Sequence, residues 1–199
     1  MVAPVSAQSA AIVVLGDSIS AAYGLDNPDL GWVTLLQKQA RDAGYDVDVV
    51  NAGISGDTSA GGLSRIDGLL ERHRPAILIL ELGANDGLRG FLPDRTQATL
   101  GEIITRAKAK NAKVLLLGMR IPPNYGKRFN DLFEAIFPAL ARQHDIAYVP
   151  FLLEGVGGQD HLMQEDRIHP NAQAQPVLMQ RVWQYLQPLL GQPALTKPS

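Results

Sequence analysis

The chain contains no cysteine. That absence excludes a disulfide scaffold, a thiolate nucleophile and every cysteine-based zinc or iron–sulfur site. An excess of charge is lacking too. Eighteen Lys and Arg stand against 20 Asp and Glu, a formal net charge of −2, so no overall field gathers nucleic acid or an anionic membrane. Long apolar runs are missing. The longest, such as residues 10–15 and 114–117, fall far short of the roughly 18 residues a spanning helix needs, so stable membrane insertion is not expected. No Lys or Arg precedes Lys38. The stretch Ala3–Ala10 is small and polar, and Val5-Ser6-Ala7 has the small-x-small form of a signal-peptidase site. A full signal peptide would add a basic start and an apolar run. The two readings are a trimmed export leader and a frayed N-terminus.

What is present is ordinary for a globular protein. The chain has 199 residues, 46% hydrophobic and 19% charged, a size and balance that suit one domain with a sizeable core. Runs rich in Val, Ile and Leu at residues 11–15, 47–51, 77–82, 113–119 and 147–150 alternate with stretches of helical period. The helical faces are Trp32, Val33, Leu36 and Ala40; Leu100, Ile103, Ile104 and Ala107; Phe133, Ile136, Phe137 and Leu140; and Val177, Leu178, Val182 and Leu186. A shorter helix is expected over residues 61–72, and Pro138 is expected to kink or shorten the helix that contains it. Alternation of this kind predicts a parallel sheet covered on both faces. The expected fold is α/β, a three-layer α/β/α arrangement with a flavodoxin-like five-stranded parallel sheet in the order 2-1-3-4-5. Residues 1–10 are expected to be a disordered leader remnant, 11–190 a single domain and 191–199 a disordered tail.

In such a sheet, ligands bind beyond the carboxyl ends of the strands, at the switch point between strands 1 and 3. Three of those ends carry Gly beside short polar side chains: Gly16-Asp17-Ser18, Asn51-Ala52-Gly53-Ile54-Ser55-Gly56-Asp57 and Gly83-Ala84-Asn85-Asp86. A hydroxyl, backbone N–H groups and an amide converging there have the composition of a nucleophile ringed by oxyanion donors. A Ser nucleophile needs a base, and the chain has four His. His73 reads as a solvated helix end and His144 as a helix-terminal cation. His169 lies in a loop before the final helix with Asp166 three residues earlier, so Ser18, His169 and Asp166 form a candidate triad. A metal reading would gather Asp160, His161, Asp166 and His169, but their spacing is not that of a regular ligand set. Asp17, Asp57 and Asp86 read as loop-bracing or helix-capping carboxylates, and Lys127 and Arg128 as a solvated loop. Leu88, Phe91, Leu92, Ile121, Pro122, Pro123, Leu162 and Met163 are apolar residues near these strand ends. They fit two roles, core packing and the wall of an acyl-binding pocket.

Gly16-Asp17-Ser18, the Gly56 loop, Gly83-x-Asn85-Asp86 and Asp166-x-x-His169 occur in the order of the four sequence blocks of the SGNH (GDSL-type) hydrolases, and the chain resembles that family over residues 11–190. Residues 51–62, 81–90, 116–125 and 150–158 are similar to its bacterial periplasmic branch, described as thioesterase I, lysophospholipase and arylesterase. The resemblance implies the SGNH hydrolase fold. It implies a catalytic Ser18, His169 and Asp166, and an oxyanion hole from the Ser18 and Gly56 N–H groups and the Asn85 amide. Ala84 departs from the Gly that close relatives often carry. The implied activity is hydrolysis of acyl esters and thioesters through a covalent acyl-enzyme, with lysophospholipid among the substrates, no metal or organic cofactor, and a periplasmic or secreted location. Candidate acyl-binding residues are Leu88, Phe91, Ile121, Pro122, Leu162 and Met163. A short-chain carbohydrate acetylesterase of the same family is the alternative, and a flavodoxin-like nucleotide- or flavin-binding module a more distant one. The absence of Gly-x-Ser-x-Gly excludes the nucleophile elbow of the α/β-hydrolases.

Overall fold

A computed structural model describes residues 10–193. Of the leader expected over residues 1–10 and the tail expected over 191–199, residues 1–9 and 194–199 lie outside the described residues. Ala10, grouped above with the leader, is the first residue of a strand.

The apolar runs form five parallel strands: β1 (Ala10–Gly16), β2 (Val47–Asn51), β3 (Ile77–Glu81), β4 (Lys113–Leu117) and β5 (Ala147–Val149). Their order is β2-β1-β3-β4-β5, as the alternating pattern predicts. All five residues of β3 are buried, as are residues 12–16 of β1. Strands covered by helices on both faces need this continuous rather than alternating apolar character. Register between the central strands runs from Ile12 opposite Ile77 to Gly16 opposite Glu81. Both strands therefore end at the same level, and so do the loops that follow them.

Among the described residues six α-helices flank the sheet: α1 (Trp32–Asp42), α2 (Ser59–His73), α3 (Ala84–Leu88), α4 (Pro93–Ala109), α5 (Lys127–His144) and α6 (Gln175–Leu190). Helix α1 packs against α6, while α2, α4 and α5 pack in a row. The core between these layers holds Trp32, Phe133 and Phe137 as its largest fully buried side chains. Phe133 and Phe137 meet edge to face at 5.6 Å, a favoured aromatic geometry.

One helix continues past a proline expected to kink or shorten it, and one helix was not expected. Helix α5 runs through Pro138 to His144 without being shortened; what it loses is the one bond that a proline nitrogen cannot donate to the carbonyl of Glu134. Helix α3 has too few residues to show a helical period and was not legible in the pattern. Among the described residues, no helix is long and apolar enough to cross a membrane.

Candidate active site

Ser18 follows the end of β1 in a tight turn, where Ala21 donates to the Asp17 carbonyl (3.0 Å) and Tyr23 to the Ser18 carbonyl (3.1 Å). The turn has no room for a side chain at position 16, since a Cβ there would stand 2.3 Å from Ser20 Oγ. Ser18 is 8% exposed. Among the described residues no acceptor takes its backbone N–H or that of Gly56. Gly56 has φ +78°, the left-handed region that favours glycine.

His169 comes from a small closed loop. Met163 and Pro170 form an antiparallel bridge, and Gln164 donates to the His169 carbonyl at 2.8 Å. Inside it, Asp166 Oδ1 accepts from the N–H groups of Ile168 (2.9 Å) and His169 (3.0 Å). Its other oxygen, Oδ2, lies 2.6 Å from His169 Nδ1, and His169 Nε2 lies 2.8 Å from Ser18 Oγ. A carboxylate only accepts, so Nδ1 carries the hydrogen and Nε2 is left to accept from the serine hydroxyl. Burial pushes the Asp166 carboxyl up, but the bonds from the His169 ring and from the two N–H groups outweigh it and hold the group below its ordinary value. Gln164 Nε2 donates to the Tyr23 carbonyl at 2.8 Å and joins the histidine loop to the serine turn. The Tyr23 ring lies over the imidazole with centroids 4.7 Å apart.

Asn85 stands in the first turn of α3. Its Nδ2 donates to the Asp57 carbonyl (2.9 Å) and to Asp17 Oδ2 (3.0 Å), so both amide hydrogens have partners within the fold. Arg65 ties the neighbouring loops together: its Nε donates to Asp57 Oδ2 (2.9 Å), and its other nitrogens to the carbonyls of Ala52 (2.6 Å) and Gly16 (3.2 Å). Asp86 accepts from Ser59 N (2.8 Å) and Ser59 Oγ (2.5 Å) at the start of α2. Asp57 and Asp86 thus brace loops, as read from the sequence. Arg65 and Gln164 were not anticipated, because a lone Arg or Gln on an exposed stretch carries no local signal.

An apolar cavity of about 330 Å³ opens between the strand-end loops, its wall including Ile19, Ala84 and Ile168, the chain neighbours of Ser18, Asn85 and His169. Of the six candidate acyl-binding residues, Leu88, Ile121, Pro122 and Met163 line it. Phe91 and Leu162 do not: Phe91 is 36% exposed and Leu162 packs against the core. Pro123 lines the cavity, whereas Leu92 is 72% exposed and stands outside it. Ile19, Met119, Phe151, Leu153 and Ile168 complete the apolar part of the wall. Each follows or closes one of the carboxyl-edge loops, so the switch-point rule was the available signal. Ala84 also lines the cavity and opens α3 without strain, because the left-handed residue there is Gly83 (φ +110°).

The remaining candidates disperse. His144 closes α5 as expected, but burial, then the nearby Lys108, lowers its pKa and so disfavours the cation, and Lys108 Nζ itself binds the His144 carbonyl. Asp160 pairs with Arg167 while Asp166 and His169 engage one another, and among the described residues no group of three or more acidic or histidine side chains could hold a metal. Lys127 pairs with Asp131 on an exposed turn of α5.

Residues 14–175 match the model of the GDSL-like lipase/acylhydrolase family. The chain is 55% identical over 179 residues to the esterase TesA of Pseudomonas aeruginosa, covering 90% of this chain and 89% of that one. It is 44% identical over 180 residues to thioesterase 1/protease 1/lysophospholipase L1 of Escherichia coli, covering 90% and 85%. A crystal structure of TesA superposes with a TM-score of 0.88 at 54% identity, covering 90% of this chain and 99% of that one.

Proposed function

The chain belongs to the GDSL-like lipase/acylhydrolase family, and we propose that it hydrolyses acyl esters and thioesters through a covalent intermediate on Ser18. The observation that carries the reading is the chain from Asp166 through His169 to Ser18, with links of 2.6 and 2.8 Å, at the side of an apolar cavity. Ser18 Oγ attacks the substrate carbonyl as its proton passes to His169 Nε2. Asp166 keeps Nδ1 protonated and stabilises the imidazolium that forms. The oxyanion is met by the N–H groups of Ser18 and Gly56, which have no acceptor of their own, and by the Asn85 amide. Collapse breaks the bond to the leaving oxygen or sulfur, and His169 returns the proton to an alcohol. A thiol leaves as thiolate, which then takes the same proton from the imidazolium, so that His169 is again a neutral base. Water then attacks the acyl-serine with His169 again as base, which restores Ser18.

The acyl chain lies in the cavity between Leu88, Ile121, Pro122 and Met163. Apolar walls suit fatty acyl groups, including those of acyl thioesters and lysophospholipids, better than an acetyl group on a polar sugar. An exported, periplasmic location belongs to the same proposal; it rests on the leader-like residues 3–10 and the resemblance, and osmotic-shock fractionation of the native host tests it. The activity is tested with Ser18→Ala on a series of p-nitrophenyl esters. Turnover is abolished while the melting temperature stays near that of the parent. Full activity in that variant would remove Ser18 from the mechanism.

A further inference from the structure

Two buried carboxyl groups lie directly beneath the candidate nucleophile. Parallel pairing sets Gly16 of β1 opposite Glu81 of β3, and a Cβ at position 16 would stand only 2.7 Å from Glu81 Oε2. Glu81 is fully buried. Its Oε2 accepts from the Asp17 N–H (3.1 Å) and from Ser20 Oγ (2.7 Å), while Oε1 receives no hydrogen bond. Asp17 is 1% exposed. Its Oδ1 accepts from the Ile19 N–H (3.0 Å) and its Oδ2 from Asn85 Nδ2 (3.0 Å).

The two acids stand close enough for the Asp17 charge to raise Glu81. Neighbouring carboxylates this deeply buried do not both ionise readily, so one of them is expected to hold a proton. Glu81 Oε1, with no donor aimed at it, is the oxygen free to carry the hydrogen. The physics of the pocket agrees. Burial raises Asp17 to about 6, with Asp57 adding to the rise and Ile19, Glu81 and His169 opposing it. Burial, then the Asp17 charge, drives Glu81 well above its ordinary value. One proton shared by the pair leaves it a single negative charge.

We infer that Asp17, held by the single proton on Glu81, is the positioning residue that sets the Asn85 amide for the oxyanion. The inference rests on the reading of Asn85 as an oxyanion donor. One amide hydrogen goes to the Asp57 carbonyl and the other to Asp17 Oδ2, so the amide plane is fixed before substrate arrives and needs no reorganisation during reaction. The hydrogen aimed at Asp17 is the one the oxyanion must share. The Glu81 hydroxyl spreads the Asp17 charge and loosens that hold. Without the proton, a second negative charge would stand behind the nucleophile and oppose the oxyanion.

The test measures kcat, KM and melting temperature for Asn85→Ala, Asp17→Asn, their double variant, Glu81→Gln and Glu81→Leu. Asn at position 17 offers one acceptor to two donors, Ile19 N and Asn85 Nδ2, so the amide shifts. The expected loss is about 10²-fold in kcat, the scale of a misplacement near 1 Å, with KM little changed. The double variant falls no further than Asn85→Ala alone, because the two residues act through one group. Glu81→Gln still donates to Asp17 and keeps kcat near the parent, whereas Glu81→Leu loses activity as Asp17→Asn does. An infrared carbonyl band of a protonated carboxylic acid is present in the parent at neutral pH and absent from Glu81→Gln. That band decides the proton's place even if Glu81→Leu fails to fold. Independent, multiplying losses in the double variant overturn the inference, as does Gln behaving no better than Leu, or a missing band. If Asn85→Ala loses activity and Asp17→Asn does not, only this inference fails. If Asn85→Ala keeps full kcat, the oxyanion assignment fails with it.

Discussion

Replacing Asp166 with Asn changes one oxygen of the carboxylate into an NH2 group and leaves the volume almost unchanged. The structure dictates how the new amide must sit. Two backbone N–H groups, Ile168 at 2.9 Å and His169 at 3.0 Å, already point at Asp166 Oδ1. Turning NH2 toward them would leave donors facing donors and lose both bonds, each worth about 0.5–1.5 kcal/mol on this exposed loop. The carbonyl oxygen therefore stays with the backbone, and NH2 faces His169 Nδ1. The imidazole must then accept at Nδ1 and carry its hydrogen on Nε2, directed at Ser18 Oγ. In that tautomer it cannot take the serine proton. The expected loss is about 10⁴-fold in kcat, the scale for the same change in a serine protease triad, equivalent to about 5.4 kcal/mol of transition-state stabilisation. The assay is steady-state hydrolysis of a p-nitrophenyl acyl ester at neutral pH, with the melting temperature followed in parallel. A variant that keeps kcat within about tenfold of the parent, well inside the triad scale, would show that the 2.6 Å bond does not set the histidine tautomer.

Two further outcomes follow from the cavity and from the buried acids. Leu88→Trp adds bulk to the cavity wall and shifts the preferred acyl group to shorter chains. Each excluded methylene is worth about 0.8 kcal/mol, roughly fourfold in kcat/KM, so a length profile unchanged from the parent would place the acyl chain elsewhere. The buried pair also makes stability depend on pH. Asp17, raised to about 6, and Glu81, raised well above its ordinary value, bind protons more tightly folded than unfolded. Their contribution is full below the ordinary carboxylate range near about 4 and falls as pH rises through the folded values. Glu81→Gln removes that titration, so its melting temperature gains on the parent's as pH rises from about 5 to about 8. A difference constant with pH would refute the shared proton.

Much of the site was legible before any coordinates. A continuous apolar run bounded by Gly and Asp announces a buried parallel strand, and the switch-point rule then says which of its ends to inspect. Ser18, Asn85, Asp166 and His169 all stand in such ends or in the loop before the last helix. The acyl wall was legible only in part. Leu88, Ile121, Pro122 and Met163 line the cavity, but Phe91 and Leu162, equally apolar and equally near in sequence, turn to solvent and to the core. Which way a loop side chain points depends on neighbours distant in the chain, so hydrophobicity alone does not decide it.

By itself, then, the amino-acid sequence determined the strand order and nominated Ser18, Asp166 and His169 as a candidate triad. Those rest on local periodicity and on short motifs, although Ser18 and His169 meet across 151 positions. Only the tertiary structure decided that Glu81 lies beneath Asp17, 64 positions away, that Asp17 takes a hydrogen of the Asn85 amide, and that Gln164 clasps the serine turn. Each depends on the register between strands or on the packing of one loop against another. In the sequence, Glu81 is one acid after an apolar run; burial opposite Gly16 sets it behind the candidate nucleophile and raises its pKa.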